Sequence, residues 1–165
     1  MNTAEAIASQ FHAALKMLHQ AIDRCPESLW LSASGASPNR FWHITYHALF
    51  YTHFYLSRSE SEFTPWEHHR AEYNYLGSVP SLPDEPHVVD TPYTKSELRD
   101  YLKFCHTEVD RQTALVNLEA PSGFHWLPFN KLELQLYNLR HVAHHTGQLV
   151  DRLRARAGVS VGWVR

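Results

Sequence analysis

The chain has 165 residues, enough for one domain spanning 1–165 whose core needs no disulfide or metal staple. Lys+Arg 15 against Asp+Glu 17, with no basic run, excludes the electrostatic footprint of a nucleic-acid binder and gives no reason to expect an anionic membrane as partner. Two isolated cysteines, Cys25 and Cys105, exclude a disulfide framework and a Cys-type zinc site. With no basic start followed by an apolar run and no bilayer-length span, they predict a cytoplasmic setting, while 13 histidines make imidazole–metal chemistry the class to pursue.

Asn2 or Thr3 can cap a first helix in which Ile7, Phe11, Ala14, Leu15, Leu18 and Ile22 recur at helical spacing up to Cys25, where Pro26 stops it. Glu27 to Ala36 reads as a loop. Ser37-Pro38 is a start signal, Ser as N-cap and Pro at the first helical position, for a second helix running to about Ser57. That helix is aromatic nearly all round, so it should be buried, and it embeds His43, His47 and His53. A buried neutral imidazole needs partners for both nitrogens; a metal with an outer acceptor supplies them, and so does a hydrogen-bonded aromatic core.

Residues 58–92 form a long connection with Pro65, Pro80, Pro83, Pro86 and Pro92, with room for a short helix around Trp66 to Leu76. A loop this long is a candidate lid, and His68, His69 and Arg70 are its reserve candidates for ligand or substrate contacts. Thr94-Lys95-Ser96-Glu97 is a capping box opening a third long helix with apolar positions Leu98, Leu102, Cys105, Val109 and Val116. Residues 120–130 connect it to a fourth helix over Lys131–Arg156, ended by Gly158.

The fourth helix carries the sharpest motif. His141 and His145 lie four apart, one turn or about 5.4 Å along one face, the spacing of a helical metal site, whereas His144 sits about 100° round from His145. The apolar stripe reads as Leu132, Leu136, Leu139, Ala143, Thr146, Val150 and Leu153. The histidines fall on a second face with Leu134, Asn138 and Leu149, so the helix should be buried on two sides. Four long helices without a period-2 strand predict an all-α fold, a four-helix bundle, and the long second connection permits the second and third helices to be non-adjacent or parallel.

Two stretches resemble the DinB-like (DinB/YfiT) family of metal-binding four-helix proteins. His141-Val142-Ala143-His144-His145-Thr146-Gly147-Gln148-Leu149 resembles its last-helix motif, except that Thr146 stands where Arg is common. Ser37 through Leu56, with Trp42-His43-Ile44, Tyr46-His47-Ala48 and the aromatic Phe54-Tyr55-Leu56 ending, resembles its second helix. The resemblance implies a DinB/YfiT-type four-helix bundle with a divalent transition metal, zinc or nickel, on His141, His145 and one second-helix histidine. That ligand is His47 counting back from the aromatic ending and His43 by the Trp-His-Ile match; His47 is taken. It further implies a homodimer and a thiol-dependent S-transferase-like or hydrolase-like enzyme acting on a small molecule, a low-molecular-weight thiol among the candidates. The rival is a non-catalytic stress or interaction protein whose metal is structural or incidental.

Overall fold

The computed structural model describes residues 2–33, 39–81, 83–84 and 89–165. They form five helices: α1 (Thr3–Arg24), α2 (Glu27–Leu31), α3 (Phe41–Leu56), α4 (Lys95–Leu115) and α5 (Lys131–Ala157). No strand occurs among the described residues, where Pro121 and Asn130 pair as an isolated bridge, and no helix among them is long and apolar enough to cross a membrane.

Local chemistry sets the helix ends. Asn2 caps α1 through a reciprocal box with Glu5, and Thr94 caps α4 through the same device with Glu97. Asn130 accepts from the Glu133 amide at the start of α5, and Gly158, at φ 65°, closes it in the left-handed conformation that costs glycine least. The expected loop at 27–36 contains α2, a five-residue helix that buries Leu29 and Trp30; the Trp30 indole donates to the Tyr93 carbonyl at 2.9 Å. Ser37 and Pro38 lie outside the described residues, as does Pro86, and α3 begins at Phe41 with Arg40 in the cap position. No helix forms between Trp66 and Leu76, where the backbone makes a series of turns.

The four long helices close a ring in which α1 packs on α4 and α5, and α3 on α4 and α5. Contact pairs give the directions. Tyr46 meets Tyr101, the Leu49 carbonyl meets the Cys105 thiol, and His53 meets Phe104, so α3 and α4 climb together and are parallel. Ser57 meets Lys131 and His47 meets His141, so α3 and α5 are antiparallel. The chain from 57 to 94 therefore returns along the length of the bundle, the long crossover that parallel neighbours require. Both thiols are free and buried, Cys105 as the core residue its spacing suggested.

The stripe on α5 needs correction. Leu136 is 55% exposed and Ala143 is exposed, while Leu134, Asn138, Val142, His145 and Leu149 face inward. Hydropathy misphases this helix because its inner face begins with polar residues. Lys131, Gln135 and Asn138 are buried, and they donate to the carbonyls of Ser57 (2.9 Å), Tyr55 (3.1 Å) and Thr52 (3.0 Å) on α3. The first two acceptors lie at the helix end, where carbonyls lack partners within the helix.

His53 is 5% exposed, with Nδ1 3.2 Å from the Tyr101 hydroxyl, and burial pushes its imidazole down to about 4. The unfolded chain binds the proton near pH 6.5 and the folded one does not, so stability is complete above 6.5 and is lost as pH falls toward 4. His69 and His106 are lowered by burial in the same direction. The melting temperature should therefore drop between pH 7 and pH 5. His53 alone should contribute about 2 kcal/mol of that loss, and His53→Phe should flatten the slope measured by thermal circular dichroism.

Candidate metal centre

Midway along the α3–α5 contact the polar ladder ends in imidazoles. The structure brings His47, His141 and His145 together, with one ring nitrogen of each within 4.8 Å of the others, a group that could hold a metal ion. The Nε2 atoms of His47 and His141 are 3.0 Å apart. Two nitrogens about 2.1 Å from one ion and so spaced would subtend roughly a right angle at it. A tetrahedral pair would stand about 3.4 Å apart, so all three rings meet one ion if the group closes by about an ångström, the scale of a rotamer adjustment.

Two of the three imidazoles have their outer nitrogen occupied. His47 Nδ1 lies 2.6 Å from the Asn74 carbonyl, which can only accept, so Nδ1 carries the proton and Nε2 presents its lone pair. His145 Nδ1 donates to the Gln148 side-chain oxygen at 2.8 Å, with the same consequence. This arrangement, a ligand nitrogen on one side and a held N–H on the other, is how metal-binding histidines are oriented. His141 differs. Its Nδ1 is buried without a hydrogen-bond partner among the described residues, and its Nε2 must either give a proton to His47 or share an ion with it.

Electrostatics favours bare nitrogens. Burial pushes His47 down to about 3 and His141 to about 4, and it lowers His145 as well. The neighbouring imidazoles add to the first two shifts, since a proton on one opposes a proton on the next. All three are neutral at pH 7, the state a metal requires. The donor set fits a borderline transition ion rather than calcium or magnesium, which select oxygen.

The other expected candidates lie elsewhere. His43 is one turn earlier on α3, and its Nε2 donates to the Tyr73 carbonyl at 2.9 Å, outside the three-imidazole group. His144 is exposed and meets the edge of the His145 ring at 5.0 Å. Of the reserve residues, His68 is exposed, His69 pairs with the Tyr46 hydroxyl at 2.6 Å, and Arg70 lies over the Tyr93 ring at 4.1 Å. The connection thus packs onto α3 as a bracket, with Tyr73, Asn74 and His69 satisfying its polar side chains. Asn74 and Tyr51 escaped sequence reasoning. Asn74 acts through a main-chain oxygen, which no residue type advertises, and its amide donates to the Tyr51 hydroxyl at 3.3 Å. Tyr51 in turn stacks edge-on with His141 at 5.4 Å.

Compared with known proteins, the chain matches no family model, no curated protein and no solved structure.

The one-turn separation of His43 and His47 yields a sharp expectation. His47→Ala should weaken zinc or nickel binding by at least about a hundredfold, and His43→Ala by less than about tenfold, in calorimetric titration of chelator-treated protein. Gln148→Leu, which removes the acceptor from His145, should fall between them.

Proposed function

We propose that this chain is a four-helix bundle of the DinB/YfiT type that binds one divalent transition metal, zinc or nickel, through His47, His141 and His145, and that it acts as a metal-dependent enzyme. The observation that carries this reading is the convergence of three neutral imidazoles, two of them locked into the ligand tautomer by Asn74 and Gln148. Three protein ligands leave coordination positions open, as in catalytic sites, whereas structural zinc sites close with four. A bound metal would supply Lewis acidity that makes a thiol or a water more acidic.

The chain's own residues define what surrounds that chemistry. The Asn74 carbonyl and the Gln148 side chain hold the His47 and His145 rings in position. The Tyr51 hydroxyl accepts from the Asn74 amide, and the Tyr51 ring stands edge-on to His141. Transfer of a low-molecular-weight thiol ranks above hydrolysis because of the motif resemblance at 141–149 and 37–56. The cytoplasmic setting and the homodimer belong to the same proposal. Leu136 and Ala143, exposed on the outer face of α5, are apolar surface available to a second copy.

One observation favours the second reading, a metal protein without turnover. A groove elsewhere in the bundle, about 1290 Å³, has none of the three imidazoles among its lining residues.

Purified without a histidine tag, the protein should carry close to one zinc or nickel per chain by elemental analysis. Chelation should abolish thiol-transfer activity in a screen of small thiols and electrophiles. It should leave the chain helical by circular dichroism, with a lower melting temperature, because the helix cores rather than the ions hold the fold. Metal retained by the native chain and lost in His145→Ala, with no turnover by either against any thiol, would shift the assignment to the non-catalytic reading.

A further inference from the structure

The bundle contains a second chemical feature, at the first residue of α5, ten positions before His141. Between the C-terminal end of α3, the second half of α4 and the chain at 58–67 runs a groove of about 1290 Å³. His53, Phe63, Trp66, Phe104 and Glu108 line it, and so does Lys131, the first residue of α5. Lys131 is 7% exposed, so its amine has been taken out of bulk water. Its hydrogen-bond acceptor among the described residues is the Ser57 carbonyl, and the Phe124 ring lies 5.5 Å from the nitrogen. No carboxylate among the described residues forms an ion pair with it, and the Glu62 carboxylate on the same groove acts on it only at longer range. Lysines are seldom buried without such a partner.

We propose that Lys131 is a carbonyl-reactive amine, and that the groove admits small aldehydes with an apolar body to condense with it. The donor to Ser57 explains one N–H bond of this nitrogen. The hydrogen bond to Ser57 is given up in the step, and the reacting group is the lone pair of the neutral amine. It forms the C–N bond to the aldehyde carbon; the carbonyl oxygen leaves as water with the two amine hydrogens, and an imine remains. No oxidant or reductant takes part. The step requires neutral nitrogen, and burial pushes the amine down to about 8; the Glu62 carboxylate on the same groove works against this and the Arg58 guanidinium with it. Near pH 7 the neutral fraction is on the order of a hundredfold larger than for an ordinary lysine. Desolvation of a lysine in a pocket is a general route to a nucleophilic amine.

The three other lysines are internal standards. Lys103 is exposed beside Asp100, Lys95 has Glu27 and the Cys25 carbonyl, and Lys16 is exposed on α1. The whole folded protein is treated near pH 7 with a limiting amount of benzaldehyde and cyanoborohydride, which traps the imine as a secondary amine. Peptide mass spectrometry then reads each lysine. Lys131 should be labelled at least about tenfold faster than Lys103, with the ratio shrinking toward pH 10, where ordinary lysines also become neutral. In denaturing urea the ratio should collapse to about one, because the groove is gone. Labelling of Lys131 no faster than Lys103 near pH 7 overturns the proposal, and so does a preference that survives unfolding, since the local sequence rather than the groove would then be responsible. The experiment does not depend on the metal centre and can be repeated on His145→Ala protein with the same expected ratio.

Discussion

The register between α3 and α5 underlies both the fold and the candidate metal centre. Along one face of α5, Lys131, Gln135 and Asn138 reach across to the main-chain oxygens of Ser57, Tyr55 and Thr52, and one turn further His141 meets His47. Spacings of four, three and three keep these positions on one helical face, so each rung constrains the next. Side-chain to main-chain bonds of this kind contribute modestly one by one, about 1 kcal/mol each, but a slip by one turn would leave all of them buried and unmet. That asymmetry makes the pairing specific in a way that apolar contacts alone do not, since Leu on Leu tolerates sliding. The imidazoles are thus the last rungs of a structural ladder, placed by the same geometry.

The crossover from 57 to 94 has a second role beyond returning the chain. Its backbone oxygens at Tyr73 and Asn74 accept from His43 and His47, and the His69 ring meets Tyr46. A helix as apolar as α3 that also buries several polar side chains must find partners outside its own turns. The loop provides them, and by doing so it dictates which nitrogen of His47 faces α5. Near its start the loop is pinned by Gly123, φ 84°, whose missing side chain leaves room for the backbone of Arg58 and Ser59; a Cβ there would stand 2.3 Å from the Arg58 oxygen.

Much of this was legible in residue types and spacing. The capping box at Thr94–Glu97, the glycine stop at Gly158 and the pair His141/His145 each follow from a short-range rule, and the structure has the boxed start, the stop and the shared face. The phase of α5 was not legible, because Gln135 and Asn138 count as surface residues until their acceptors are known. The short helix α2 hid for a similar reason: five residues carry too little periodicity to separate from a loop, and what holds it is a distant carbonyl at Tyr93. Which of His43 and His47 stands beside the α5 histidines is a tertiary fact too. Both imidazoles bond to successive carbonyls of the crossover, and they differ in that His47 alone has α5's histidines across from it.

The histidines that meet across α3 and α5 are 94 positions apart in the chain. During synthesis His47 leaves the ribosome long before the α5 histidines exist, so the three-imidazole group cannot assemble until α5 has followed. The pair on α5 emerges later and, without the crossover and its Asn74 carbonyl already in place, has no third ligand to recruit. The group that could hold an ion is therefore a product of the finished fold: it exists only once α5 has packed on α3, and it cannot guide the folding of either helix by itself.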